Sequence, residues 1–308
     1  MDDLNTSSYR HLQSWVDRTG FSHWAVAMLW LLVALVLFQV GASIMMIVML
    51  FVTEGLVSMT EMAELIISRV DLLFIANSVG QILFIGLATF IVVNLHQTGE
   101  SKRDYLRLKW SNNTLKYSIF GSILIIVVQP IVIYLGFLNS ILPIPDWMNL
   151  SQEGQYEMIL NFLMTEGVLV YALIAIAVIP AICEEVLFRG YILRSFEKSW
   201  GIIIAILVSG LFFGLFHLQA GNLIPLSTLG VVLAIMTWLS GSIWPAIFAH
   251  FINNGMAVII GINFPELFFQ DITLENLPPI WFLFISIILT CLIIYAMLRE
   301  STDRKTVM

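Results

Sequence analysis

The sequence predicts an all-α fold, a polytopic membrane helical bundle of about eight transmembrane helices with both termini in the cytoplasm. Hydrophobic residues make up 59% of the 308 residues and charged residues only 11%, a composition typical of membrane proteins. Apolar runs of about 20 residues, long enough to cross a hydrocarbon core of about 30 Å, occur eight times. The runs are continuously apolar rather than alternating, which favours helices over a β-barrel.

The eight runs follow one another with polar loops between them. The first is too long for a signal-peptide core, so we expect it to remain in the mature protein. Residues 1–22 are predicted to be a cytoplasmic or interfacial segment, 23–298 a single transmembrane domain and 299–308 a cytoplasmic tail. The runs cover residues 23–52, 72–94, 117–143, 167–188, 201–217, 223–239, 242–261 and 280–298.

The distribution of basic residues predicts the orientation, since short basic loops stay in the cytoplasm. Twelve of the fourteen basic residues fall in segments that alternate spans place on one side. They are Arg10, Arg18, Lys102, Arg103, Arg107, Lys109, Lys116, Arg194, Lys198, Arg299, Arg304 and Lys305. The loops on the other side are acidic, which accounts for the net charge of −7 without an acidic ligand site. The chain is therefore predicted to be a multi-pass protein of the cell membrane.

Polar residues in the first three spans have an ordinary structural interpretation. Asn77 and Gln81 share a helix face in span two, and Gln129 lies in span three. Hydrogen bonds between helices are the expected role of such residues. His23 and His96 lie near span ends and are predicted to be solvated or interfacial.

Ionisable residues inside the membrane are costly and point to function. Spans four to seven contain five such residues and a nearby asparagine, namely Glu184, Glu185, Arg189, His217, His250 and Asn254. Glu185 and Arg189 are four residues apart and are predicted to pair on one helix face. Glu184 points about 100° away from that face, which leaves its carboxylate free for another role.

Helix lengths predict which of these residues meet. If the turn between spans four and five lies at residues 199–201, an antiparallel hairpin places Glu184 and His217 at about the same depth. His250 and Asn254 share a face of span seven. Residue counts place His250 roughly 10 Å shallower than His217. A tilt, a deep turn or a kink near Pro245 would have to close that gap.

Three ordered motifs carry a family resemblance. They are "EEVLFR" at 184–189, "FGLFH" at 213–217 and "HFINN" at 250–254, which fit the patterns EExxxR, FxxxH and HxxxN. With these motifs the chain resembles the CPBP family, which contains the type II CAAX prenyl proteases and the bacterial Abi proteins. The resemblance implies intramembrane proteolysis by a catalytic core at 167–261. It implies catalytic roles for Glu184, His217, His250 and Asn254, and supporting roles for Glu185, Arg189 and Phe213.

Physical chemistry agrees with these roles. A buried carboxylate beside an imidazole can take a proton from water, so Glu184 is the predicted base and His217 its partner. His250 and Asn254 are the predicted donors to the negative oxygen that forms on the peptide carbonyl. A His₂Glu zinc site made by Glu184, His217 and His250 is the alternative. We favour the metal-free form without a cofactor, because the chain has no H-E-x-x-H helix.

Two other functions remain open from the sequence. A non-catalytic membrane scaffold of the same family would carry similar motifs, and a proton-coupled transporter could also use buried Glu and His residues. The expected partners are the lipid bilayer and a membrane-embedded or lipidated protein or peptide substrate, with no nucleic acid. The aromatic segment 263–270 is interpreted as an interfacial anchor.

Overall fold

A computed structural model describes residues 13–96, 101–268 and 272–307 of the chain. Every regular element in these ranges is a helix and none is a β-strand, which confirms the predicted all-α membrane bundle. Residues 1–12 of the predicted N-terminal segment and residues 269–270 of the aromatic segment lie outside the described ranges. The helices are α1 (Trp15–Thr19), α2 (His23–Glu54), α3 (Met59–Ser68), α4 (Val70–Leu95), α5 (Lys102–Tyr105), α6 (Thr114–Val127), α7 (Gln129–Ser140), α8 (Asp146–Leu163), α9 (Leu169–Trp200), α10 (Ile202–Phe216), α11 (Ala220–Ser240), α12 (Trp244–Asn263), α13 (Pro265–Phe268) and α14 (Ile280–Val307).

Six of the described helices are long and apolar enough to cross a membrane, namely α2, α4, α9, α11, α12 and α14. Helices α6 and α7 form a further candidate span that is bent by 44°. Pro130 lies in the first turn of α7. It has no N–H to donate back to α6, which accounts for the bend.

Helix α10 is shorter than a full span. Its 15 residues measure about 22 Å at 1.5 Å per residue, against a hydrocarbon core of about 30 Å. It begins after Gly201 and stops at His217, where Leu218 takes a left-handed φ of 56°. All eight predicted runs are therefore helical, but the count of eight transmembrane helices is not confirmed.

The two ends of the bundle differ in charge. The basic loops meet at one end, the basic end, where Arg107 pairs with Glu197, and where Lys116 Nζ lies 2.6 Å from Glu300 Oε2. The acidic loops lie at the opposite end, the acidic end. His217 closes the short helix that starts at the basic end, so the loop after it belongs to the acidic end. Which side of the membrane each end faces stays a prediction.

His96 is buried at the basic end, so the prediction of a solvated or interfacial side chain is wrong. Its side chain is 0% exposed. Its Nε2 atom lies 2.7 Å from the Tyr191 hydroxyl, and its Nδ1 atom lies 3.0 Å from Nδ1 of His23. Burial, followed by the neighbouring positive charges of His23 and Lys198, lowers the pKa of His96 to about 3. His96 packs inward against Tyr191 and His23, which the sequence pattern does not reveal.

Acidification is expected to destabilise the folded protein through His96. An unfolded histidine has a pKa of about 6.5, so below that pH the unfolded state binds more protons, and stability falls as the pH drops toward the folded pKa. At pH 5 the loss is on the order of 2 kcal/mol. We expect the melting temperature in detergent micelles to fall between pH 7 and pH 5, and to fall less in His96→Gln. Equal decreases in both proteins would contradict this assignment.

Helices α9 to α12 pack closely around the predicted site. Gly210 and Gly214 let α10 approach α11, because a Cβ atom at Gly214 would lie only 2.3 Å from Ser227 Oγ. Helix α9 contains two π-helical turns, Leu173–Val178 and Val186–Ile192, on either side of the two motif glutamates. Such turns often occur at functional sites. A π-helical turn changes the rotation of the residues that follow it around the helix axis, so these turns affect the direction in which the motif side chains point.

Candidate active site

Glu185 and Arg189 form the ion pair that their spacing predicts. Glu185 Oε1 lies 2.8 Å from Arg189 Nη1, and both side chains are fully buried. Arg189 Nη2 donates to the Gly230 carbonyl at 3.0 Å, and the guanidinium lies 4.4 Å from the centre of the Phe213 ring. This pair therefore joins α9 to α10 and α11. Its members are buried too deeply to reach a substrate without rearrangement.

His250 contacts the same glutamate from α12. Its Nδ1 atom lies 2.9 Å from Glu185 Oε1, so this oxygen contacts both His250 and Arg189. The edge of the Phe213 ring packs against His250 and against His217, with ring centres 5.7 and 4.9 Å apart. Phe213 lies one turn before His217 on α10, so its ring bridges the difference in depth that the residue counts predict. Pro245 lies in the first turn of α12, where proline fits without a kink.

Glu184 faces His217, as the predicted hairpin requires. Glu184 Oε2 lies 4.0 Å from His217 Nε2 and is buried without a hydrogen-bond partner. His217 Nδ1 lies 2.7 Å from the Phe213 carbonyl, which can only accept, so Nδ1 carries a hydrogen. In a neutral imidazole, Nε2 is then also an acceptor. Two acceptors at this distance need a donor between them, and one water molecule can donate a hydrogen to each.

Asn254 is fixed by two hydrogen bonds. Its Nδ2 atom donates to the Ile176 carbonyl in a π-helical turn of α9 at 2.9 Å, and its Oδ1 atom accepts from Asn253 Nδ2 at 3.1 Å. One hydrogen on Asn254 Nδ2 remains for another acceptor. Asn253 also contacts Gln129 across the bundle. The HxxxN pattern passes over Asn253, the first asparagine of the "HFINN" motif.

A small cavity lies beside His217, His250 and Asn254, and Glu184 is not among its lining residues. Its volume is about 30 Å³, which is room for about one water molecule. Its polar lining comes from two imidazoles and two carboxamides, and its apolar lining comes from α6, α10 and α11. The lining residues are Ile125, Phe213, His217, Leu226, Leu229, Leu233, His250, Asn253 and Asn254. The arrangement can hold a polar atom beside His217.

Glu184, His217 and His250 are the side chains that would have to coordinate a zinc ion at this site. The donors suit zinc chemically, because His217 and His250 each direct Nδ1 to an oxygen and leave Nε2 open. The positions of the three side chains, however, do not suit a zinc ion. Within the described parts of the chain, no group of three His, Cys, Asp or Glu side chains is arranged to hold a metal ion. Glu184, His217 and His250 therefore do not fit one ion as they stand.

Comparison with known proteins matches the part of the chain that carries this site. Residues 166–256 match the family described as "Type II CAAX prenyl endopeptidase Rce1-like". A segment of 91 residues is 28% identical to the "Putative membrane peptidase YdiL" of Bacillus subtilis (strain 168), and covers 30% of this chain and 37% of that protein. No solved structure shows a significant match.

The match covers α9 to α11 and the first part of α12, and includes all three motifs. The apolar helices and this match together show a multi-pass membrane protein, and support a membrane protease. Through residues 166–256 the chain is similar to the type II CAAX prenyl endopeptidases, which supports the resemblance to the CPBP family that its three motifs carry.

Proposed function

We propose that the protein is an intramembrane endopeptidase that cleaves peptide bonds of membrane-associated proteins with a water molecule activated by Glu184 and His217. One observation carries this proposal. Glu184 Oε2 is buried without a partner and lies 4.0 Å from His217 Nε2. A water molecule about 2.8 Å from each atom would bridge them. If it donates both hydrogens, its lone pairs are directed away from the two side chains.

The chemical step follows from that geometry. The water oxygen forms a bond to the peptide carbonyl carbon while its proton passes to Glu184, acting as the general base. The carbonyl oxygen becomes the negative oxygen of a tetrahedral intermediate. The carbon–nitrogen bond then breaks, and Glu184 returns the proton to the leaving amine. The role of Glu184 as the base is the one that the sequence predicts.

His250 and Asn254 are proposed to stabilise the negative oxygen. Asn254 has one N–H left after its bond to the Ile176 carbonyl. His250 can donate from Nε2 only when both ring nitrogens carry hydrogen, because its Nδ1 atom is directed to Glu185. The charges then balance. The two negative charges of Glu184 and Glu185 are matched by the two positive charges of Arg189 and protonated His250. When Glu184 takes the proton from water, its negative charge is replaced by the one on the substrate oxygen.

Glu185, Arg189 and Phe213 act as supporting residues in this proposal. Glu185 orients His250, and Arg189 neutralises Glu185. Phe213 supplies the ring that separates the two imidazoles, and its carbonyl fixes the orientation of His217. Such fixed surroundings allow donors to act without reorganising during the reaction.

We propose that the reaction proceeds without a metal. Treating the purified protein with a chelator and then removing the chelated metal is expected to leave the cleavage rate unchanged. Metal analysis is expected to find less than one zinc ion per chain. A loss of activity that stoichiometric zinc restores would contradict the metal-free proposal, and would instead support the zinc alternative.

A comparison of membrane-protein termini tests the proposed function. Cells that carry the wild-type chain are compared with cells that carry Glu184→Gln at matched protein levels. New termini that occur only with the wild type are expected, and would name the substrate and show whether it is lipidated. Identical sets of termini, with a cellular phenotype still rescued by the variant, would support a non-catalytic scaffold instead. Proton-coupled uptake that Glu184→Gln abolishes would support a transporter.

A further inference from the structure

Asn253 has no role in the mechanism given above, yet it lines the cavity beside His217, His250 and Asn254. It belongs to a row of three carboxamides that crosses the bundle. Gln129 Nε2 donates to Asn253 Oδ1 at 3.1 Å, and Asn253 Nδ2 donates to Asn254 Oδ1 at 3.1 Å. The row connects the bent pair α6 and α7 with α12.

Backbone carbonyls at both ends fix the direction of this row. Gln129 Nε2 also donates to the Ile125 carbonyl at 2.8 Å, and Asn254 Nδ2 donates to the Ile176 carbonyl at 2.9 Å. A carbonyl can only accept, so both terminal side chains must present nitrogen outward. Asn254 then presents oxygen to Asn253, and Asn253 presents oxygen to Gln129. Reversing any one carboxamide would place two acceptors or two donors face to face.

The fixed direction leaves specific hydrogens free. Gln129 uses both hydrogens of its Nε2 atom, in its bonds to Ile125 and Asn253. Asn253 and Asn254 each use one of two hydrogens on Nδ2, and both side chains line the cavity. Each therefore has one N–H available for an acceptor there.

We infer that Asn253 supplies a second carboxamide N–H to the negative oxygen of the intermediate, and that Gln129 is a positioning residue that holds Asn253 in this orientation. This inference rests on the proposed protease function. It changes the interpretation of Gln129, which the sequence places among the residues that hold helices together. Gln129 sits at the 44° bend beside Pro130, so the bend brings this donor toward the cavity.

The experiment follows the formation rate of the termini that distinguish wild type from Glu184→Gln, at matched levels of full-length protein. Asn253→Ala is expected to lower the rate roughly 100-fold, the effect of losing one oxyanion donor. Asn253→Asp retains the shape and an oxygen facing Gln129 but removes the NH₂ group, so a comparable loss is expected. Asn263→Ala is the matched control, because Asn263 on the same helix bonds the Ile259 carbonyl at an exposed position. It is expected to keep the wild-type rate.

A double substitution tests the positioning role. Gln129→Met is expected to lower the rate roughly 10-fold in the wild-type background, and to have no further effect when Asn253 is already alanine. A purely structural role for Gln129 would lower the melting temperature in both backgrounds and reduce the rate in both.

Each outcome bears on a specific claim. If Glu184→Gln is inactive while folded Asn253→Ala and Asn253→Asp both cleave at the wild-type rate, the role of Asn253 is overturned and the protease proposal stands. If Gln129→Met cleaves at the wild-type rate, its positioning role is overturned. If wild type and Glu184→Gln give identical termini, both the proposed function and the inference built on it are overturned.

Discussion

Glutamine in place of either Glu184 or His217 is expected to slow cleavage at least 100-fold, and the double variant is expected to be no slower than the worse single variant. General-base catalysis contributes about 100- to 10,000-fold. Residues that act on one water molecule as a unit give non-additive losses. Glu184→Gln keeps the size of the side chain and removes the proton acceptor, so folding should be little affected.

The measurement is the formation rate of the wild-type-specific termini, with melting temperatures as the folding control. His23→Gln is a useful comparison, since this histidine lies at the basic end and contacts His96 rather than the cavity. Full activity in Glu184→Gln would show that the base is wrongly assigned. Losses that multiply in the double variant would show that Glu184 and His217 act on separate steps.

Breaking the buried pair between Glu185 and Arg189 is expected to damage folding as much as chemistry. Removing one member of a fully buried ion pair leaves an uncompensated charge and costs about 3–5 kcal/mol. Glu185→Gln and Arg189→Met should therefore each lower the yield of folded protein and the melting temperature. Replacing both members removes both charges, so the double variant is expected to recover part of the stability.

Activity should not recover with stability in that double variant. His250 contacts Glu185 through Nδ1, and loses this negatively charged acceptor in any variant without the carboxylate. Lys116→Met is the matched control, because the pair of Lys116 with Glu300 is exposed at the basic end and such pairs contribute about 0–1 kcal/mol. A double variant less stable than both single variants would contradict the ion-pair argument. A stable and fully active double variant would show that Glu185 is not needed to orient His250.

Contacts within one helix, or between the two helices of one hairpin, could be predicted from the sequence. The four-residue spacing of Glu185 and Arg189 predicted their pair, and the structure confirms it at 2.8 Å. The nearly equal distances of Glu184 and His217 from the turn at Gly201 predicted their proximity, and they lie 4.0 Å apart. In both cases the helical repeat and the antiparallel direction of one hairpin are sufficient.

Contacts between helices distant in sequence could not be predicted in this way. The rotation of one helix against another depends on packing, and Gly214 allows a close approach that a larger residue would prevent. Residue counts placed His250 at a different depth from His217, but did not reveal that it contacts Glu185. The bond from Gln129 to Asn253 spans 124 residues and depends on the bend before α7.

The sequence by itself determined the all-α membrane class, the location of the hydrophobic helices and the motif residues from Glu184 to Asn254. Local periodicity and hydrophobic length encode these properties directly. The tertiary structure decided which donor faces which acceptor, how short α10 is, and that His96 is buried. These properties arise from the rotation and close packing of helices, in which each side chain's partner belongs to a distant part of the chain.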